Sequence, residues 1–405
     1  MADREPDLDP VHWLDLGPDP DLARDRPPPR RWRWWYALVA ATVLAALLLT
    51  RNQNGADSSH PAPAGAAAPV SPRTSAAGLP GIHPPPPGLG TADSVSVVDA
   101  GHPLLDVPAG WELFGQGQGV VVRIELRNGR VTRTAAPEVG GTNRIFFVVG
   151  PDRAIVHPVG LVPGYVVRDG RPAVALPPAL DQAFSVLPGP DPRHLWAETR
   201  AGTGSALSLL TLDGRPAGIQ LPIPRDASVR ASDRAGNVVM SGTGGVYDAR
   251  PDGLHRITSG SLLAIGPTRW LTLECDETYR CASVVTDRGT GRRQTVATPL
   301  DAYAQNSGAI SPDGRTAALL QPNGQGSLNL HLLDLSTGGV RVTGVTTSVD
   351  RTGGSRTLAW SPDSRWLFAT DGTGRLLALS RTGQEVSLDV TVGPIDQIAL
   401  RTASR

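Results

Sequence analysis

Ser311/Asp313 and Ser361/Asp363 stand two residues apart in the stretches "GAISPDGRTAALLQP", from Gly308, and "TLAWSPDSRWLFATD", from Thr357. A hydroxyl beside a carboxylate serves nucleophilic chemistry when a histidine bridges the two. No histidine accompanies either pair, and the pattern recurs in matching context, as expected of a structural turn rather than of a single active site. Cys275 and Cys281, in "LTLECDETYRCASVV", are the only cysteines. At the end of one apolar run and the start of the next they suit a hairpin disulfide. Free thiols and a metal site stay open as alternatives, although no histidine lies near them and the eight histidines of the chain show no ligand spacing. Asp276, Glu277 and Asp301 are candidate carboxylates for a glycosidase-like pair, if the fold brings two of them together. No G-x-S-x-G elbow, H-E-x-x-H, P-loop or dinucleotide fingerprint occurs, and the Gly-rich "GTGSALS" and "GQGQG" lack a following helix to hold phosphate. No cofactor and no metal is expected.

The repeated turns point to the elements around them. Proline presets the second position of a β-turn, Ser and Asp bond neighbouring N–H groups, and Gly accepts positive φ. Pro312 and Pro362 thus mark corners between two strands, with Ser311, Asp313, Ser361 and Asp363 as turn residues. Each corner is followed by a third and a fourth apolar run, "SLNLHLLDLSTGGVRVTG" and "GRLLALSRTGQEVSLDV", which makes four antiparallel strands per unit. Looser copies begin at "RIFFVVGPDRAIVHPVG", "AFSVLPGPDPRHLWAETRAG", "SVRASDRAGNVVMSGTG" and "SLLAIGPTRWLTLECDETY". Three strands from Gly110 lack a first strand, and one orphan strand, "PIDQIALR", follows the last unit. Joining the leftovers predicts an all-β, seven-bladed β-propeller over 93–405, closed by the C-terminal strand; "SVSVVDAG" competes for that place. With 46 Gly, 38 Pro and 5% aromatics, the composition suits many short strands and turns.

The "SPDG" and "SPDS" corners, each between an apolar strand and Arg plus another strand, resemble the WD40-like repeat of TolB-type propellers. The overall layout resembles actinobacterial membrane-anchored propeller proteins. The resemblance implies blades, and such folds host scaffolds, sensors and enzymes alike.

The first 92 residues read differently. Trp34 to Thr50 is uncharged and, at 1.5 Å per residue, spans roughly 25 Å as a helix. Arg24, Arg26, Arg30, Arg31 and Arg33 precede it and only Arg51 follows closely, which places the N-terminus in the cytoplasm. Trp34, Trp35 and Tyr36 lie where an interfacial aromatic belt belongs. The segment therefore reads as a single transmembrane signal anchor (34–50) between a disordered acidic tail (1–33) and a Pro/Ala/Gly-rich linker (51–92). A cleaved signal peptide and a core helix are the alternatives, the latter burying unpaired arginines.

The chain has 38 basic and 38 acidic residues, so no net field favours nucleic acid. Every basic side chain in that count is Arg, a coding bias of GC-rich, actinobacterial type. The expected function is an extracytoplasmic, membrane-anchored scaffold binding a protein, peptide or envelope glycan. A hydrolase or lyase using channel carboxylates is the alternative, and a sensor coupled to the tail around Trp13 the second. If each blade runs outward, the Cys275–Cys281 hairpin lies on the face opposite the Ser-Pro-Asp turns, with loops 300–308 and 345–356, and that face is where binding is expected.

Overall fold

The computed structural model describes residues 95–402, apart from 139–144, 160–161, 202–203, 234–235, 243, 279, 297–307, 324–326, 349–356, 389 and 391. The expected tail, anchor and linker, with Arg30, Arg31, Arg33, Trp34, Trp35 and Tyr36, lie outside the described residues. Among the described residues no helix is long and apolar enough to cross a membrane.

The architecture is an all-β propeller. After β1 (Val95–Asp99), the strands β2 (Trp111–Gly117), β3 (Val120–Glu125) and β4 (Arg130–Ala135) form the first unit. Four-stranded meanders follow. The second unit comprises β5 (Ile145–Val149), β6 (Arg153–Pro158), β7 (Tyr165–Arg168) and β8 (Ala173–Ala175), and after a helical turn at Pro178–Asp181 the third comprises β9 (Ser185–Pro188), β10 (His194–Ala201), β11 (Gly204–Thr211) and β12 (Pro216–Ile223). The fourth is β13 (Ser228–Ser232), β14 (Val238–Gly242), β15 (Gly245–Arg250) and β16 (Gly253–Thr258); the fifth is β17 (Ser261–Ile265), β18 (Arg269–Cys275), β19 (Cys281–Asp287) and β20 (Arg293–Val296). The sixth is β21 (Gly308–Ile310), β22 (Thr316–Pro322), β23 (Ser327–Asp334) and β24 (Val340–Ser348), and the seventh β25 (Leu358–Trp360), β26 (Trp366–Thr370), β27 (Leu376–Ser380) and β28 (Glu385–Ser387), before a last strand β29 (Ile395–Thr402). The fifth and sixth units share one eight-stranded sheet because β17 and β21 pair in parallel, Ala264 opposite Gly308 and Ile265 opposite Ala309.

The two leftovers of the sequence meet here. β29 pairs antiparallel with β2, Trp111 opposite Thr402 and Leu113 opposite Leu400, and so becomes the innermost strand of the first unit. The competing "SVSVVDAG" run, β1, goes to the other edge: it pairs with β4, Val97 opposite Thr132, as an outer fifth strand. Its exposure explains the choice. Val97 and Val98 are 51% and 54% exposed, whereas β29 supplies Ile395 and Ile398 to a closed core.

Burial follows strand order within a unit. Second strands such as β22 bury five consecutive residues, Thr316 to Leu320, because neighbouring units cover both faces of the sheet. Outer strands such as β12 and β20 are mostly exposed. The seams between units carry the core. Leu320, Leu330, Trp360 and Leu379 fill the sixth–seventh seam. Phe368 and Ala378 meet Leu113, Ile124 and Ile398 between the seventh and the first, and Phe114 and Val121 meet Phe147 and Tyr165 between the first and second. The fourth–fifth seam is the thinnest, with Val239, Val246, Leu262 and Trp270. Charge reinforces it: Arg288 bridges the buried Asp233 and Asp248, Arg250 holds Asp248 at 2.7 Å, and the Arg288 guanidinium lies 5.3 Å over the Trp270 ring.

Candidate functional site

The Ser-Pro-Asp corners join the first strand of a unit to its second. Ser311 and Ser361 are wholly buried. Each hydroxyl donates to the aspartate two residues on, at 2.6 Å, and accepts from a backbone N–H further along, Thr316 at 3.0 Å and Trp366 at 2.9 Å. Asp313 and Asp363 accept in turn from the Arg315 and Arg365 N–H groups at 3.1 and 3.0 Å. Burial pushes the Asp313 carboxyl up, but the Ser311 hydroxyl, the Arg315 N–H and Arg381 together hold it below its ordinary value. The hydroxyls are committed to turn closure and reach no base, so the pairs are turn devices. The corners also brace each other: the Asp313 N–H donates to Ser364 Oγ at 3.0 Å, and Arg381 meets Asp313 at 3.1 Å.

Beneath these corners lies a cavity of about 1150 Å³. Its wall comes from β5, β9, β13, β17, β21, β25 and β29, one innermost strand from each unit, at their turn-bearing ends. Five turns place a proline on it: Pro151, Pro190, Pro267, Pro312 and Pro362. Four of these prolines follow Gly or Ser and precede Asp, and Pro267 precedes Thr. Pro312 and Pro362 stand out in the sequence by their Ser-Pro-Asp context; the signal for the others is the Gly-Pro step at the same point of the looser repeats. Proline cannot donate a backbone hydrogen bond, so the rim is rigid and apolar. Val148, Ile310, Leu358 and Ile398 continue that character inward.

The charged groups of the wall are mostly paired within the protein. Arg401, on β29, donates to Glu112 of β2, to Asp169 at 2.6 and 3.1 Å and to the Gly150 carbonyl at 3.3 Å, and lies 4.6 Å over the Phe114 ring. Burial works against its charge, yet Asp169 and Glu112 outweigh it and hold the guanidinium pKa up. Asp233 is taken by Arg288 and by Asn237 at 2.8 Å. Asp191 meets His194 Nδ1 at 2.7 Å; burial raises its pKa, but the Arg193 N–H and His194 together leave it lowered. The same Asp-x-x-His contact recurs at Asp252 and His255, on an exposed hairpin turn at 3.0 Å, which marks it as a turn device too. A general acid for glycoside cleavage is a carboxyl kept protonated. The cavity carboxylates instead face arginine or histidine.

The remaining sequence candidates are dispersed. Cys275 and Cys281 form the disulfide, opposite each other in the β18–β19 ladder with Cα atoms 3.9 Å apart. Their hairpin joins second and third strands and therefore lies on the face away from the Ser-Pro-Asp corners. Asp276 caps that hairpin, accepting from the Thr278 and Arg280 N–H groups at 2.8 and 2.9 Å. Asp301 and most of the 300–308 and 345–356 loops fall outside the described residues. The cavity described above lies on the Ser-Pro-Asp side. Among the described residues no cluster of His, Cys, Asp and Glu could hold a metal ion.

No family model and no curated protein matches the chain. Solved structures similar to it include TolB from Acinetobacter baumannii, at 13% identity and TM-score 0.38, covering 72% of this chain and 66% of that one. AztD from Citrobacter koseri is similar at 11% identity and TM-score 0.38, covering 73% and 99%. A puromycin-hydrolyzing peptidase of Mycobacterium tuberculosis is similar at 16% identity and TM-score 0.43, covering 69% and 51%. This chain thus spans about half of the peptidase. The propeller assignment rests on the strand pairing.

Proposed function

We propose that this propeller is a closed ring of seven blades, tethered outside the cell membrane by residues 34–50, that acts as a binding scaffold for a protein, peptide or envelope-glycan partner. The observation that carries the binding role is the cavity of about 1150 Å³ walled by every innermost strand. Concave, mainly apolar pockets with a few convergent polar groups are the ordinary form of a ligand site. The seven-blade count divides the eight-stranded sheet at β17/β21 and assigns β29 to the first blade. The tether reading rests on the uncharged run and the arginines before it.

The test is capture of partners from envelope fractions by the full-length chain. Ala231, on β13, lines the cavity, and Ala231→Trp fills that sector. Capture is expected to fall in this variant and to survive replacement of residues 297–307 by a short Gly-Ser loop. The reverse pattern overturns the assignment to the cavity. Reporter fusions check the tether: a periplasm-active phosphatase fused at the C-terminus is active and one fused at the N-terminus inactive, and the opposite result refutes the orientation.

A further inference from the structure

We propose that the central cavity selects a ligand with an apolar body and a carboxylate, held by Arg230 and Arg193. The proposal rests on the reading of the cavity as the ligand site and adds the chemistry of what enters it. Three acidic residues line the wall, Glu112, Asp191 and Asp233, and each faces a cationic or imidazole group of the protein: Arg401, His194 and Arg288. Two arginines of the wall remain. Among the described residues neither Arg193 nor Arg230 lies within ion-pair distance of a carboxylate, and Arg193 acts on Asp191 only at longer range.

Their placement is specific. The β13–β14 register shifts between Val229 and Ala231, so Arg230 is the extra residue of a bulge on an innermost strand. A bulge takes the side chain it carries out of the alternation of the strand, and Arg230 is among the residues lining the cavity. Arg230 Nε donates to Ser241 Oγ, which anchors one side of the guanidinium and leaves its other nitrogens for a ligand. Arg193 comes from the turn after β9, the innermost strand of the adjacent unit. Two guanidinium forks from neighbouring units suit the planar, two-oxygen geometry of a carboxylate, while the proline rim and aliphatic wall receive the rest of the molecule.

Full-length chain in lipid nanodiscs, with empty nanodiscs as the blank, is titrated calorimetrically with 3-phenylpropanoate and its neutral amide. The dipeptide acetyl-Leu-Phe is titrated in parallel, with a free carboxylate and amidated. At least one acid is expected to bind about tenfold more tightly than its amide, and Arg230→Gln to remove that advantage while leaving the amide unchanged. Arg193→Gln, at an exposed turn, repeats the test independently of how Arg230→Gln folds. Whichever acid responds identifies the source of the carboxylate as a small acid or a peptide C-terminus. Equal binding of acid and amide, or equal losses of both in the variants, overturns the proposal and leaves the cavity reading standing. Absence of binding by all four probes up to about 1 mM also overturns it, and the Ala231→Trp capture result then decides the cavity reading separately.

Discussion

Replacing Arg288 by Met should expose how the thinnest seam of the ring is held. Arg288 sits in the β19–β20 turn of the fifth unit and reaches into the fourth, where the Asp233 and Asp248 side chains are 2% and 1% exposed. Removing it leaves two buried carboxylates short of a cation, a change that generally costs about 3–5 kcal/mol. Asp248 keeps Arg250 at 2.7 Å, and Asp233 keeps the Asn237 N–H at 3.0 Å and its amide at 2.8 Å. The expected loss therefore lies at the low end, about 3 kcal/mol. Urea unfolding of the full-length chain, followed by near-ultraviolet circular dichroism, measures it. Adding Asp233→Asn and Asp248→Asn should restore most of the loss, because the buried charges that Arg288 balanced are gone. A loss under about 1 kcal/mol, or no recovery in the triple variant, would show that the pair network is not what holds this seam.

Four further outcomes follow from the same structure. Ser364 is the one non-glycine residue with positive φ among the described residues, at 60°, and it accepts from the Asp313 N–H. Ser364→Ala should cost about 1–3 kcal/mol, and Ser364→Gly should cost about 1 kcal/mol less by relieving the left-handed strain, as read from urea midpoints; equal losses would refute the strain assignment. Removing residues 394–405 takes away β29 and leaves β2 without its inner partner, so the truncated chain should lose its cooperative thermal transition in calorimetry, whereas an unchanged transition would rule out closure through β29. Asp152, Asp276, Asp287 and Asp334 are held below the ordinary value of 3.8 by bonds led by Arg153, the Thr278 hydroxyl, the Thr290 N–H and the Ser336 hydroxyl. Stability from these depressed carboxyls is present above about pH 4 and lost as pH falls through their folded values, while burial holds the His157 and His331 imidazoles below 6.5, so that the unfolded chain protonates them first. The thermal midpoint should therefore begin to fall between pH 7 and about 5 and fall further below about 4, and a midpoint flat from about pH 7 to 5 would refute the histidine contribution. Finally, Cys275→Ser with Cys281→Ser opens a short hairpin loop and should cost about 2 kcal/mol, measured against the oxidised chain in the same urea series.

Much of the fold was legible because it is local. A blade is a run of short strands joined by turns, and "SPDG" and "SPDS" carry the turn chemistry in their own side chains: Ser bonding Asp, Pro setting φ, and Gly314 with φ of 69°. The cysteine hairpin was legible for the same reason, since both partners sit across one tight turn. Closure was half legible. Two orphan strands could be counted, but whether β29 or β1 took the inner place depended on which one completed the core around Leu113 and Phe368, a comparison no local pattern contains.

The sequence by itself determined the repeat, the turns and therefore the all-β class, because each depends on residues within a few positions of one another. Only the tertiary structure decided where a ligand has room. Arg193, Arg230, Glu112 and Arg401 lie far apart along the chain and share a cavity wall because the innermost strands converge. Which arginines are taken by carboxylates and which remain available is likewise a matter of contacts between neighbouring units, from Arg401 to Asp169 and from Arg288 to Asp233. The turns that build the blades also form the rim of the cavity.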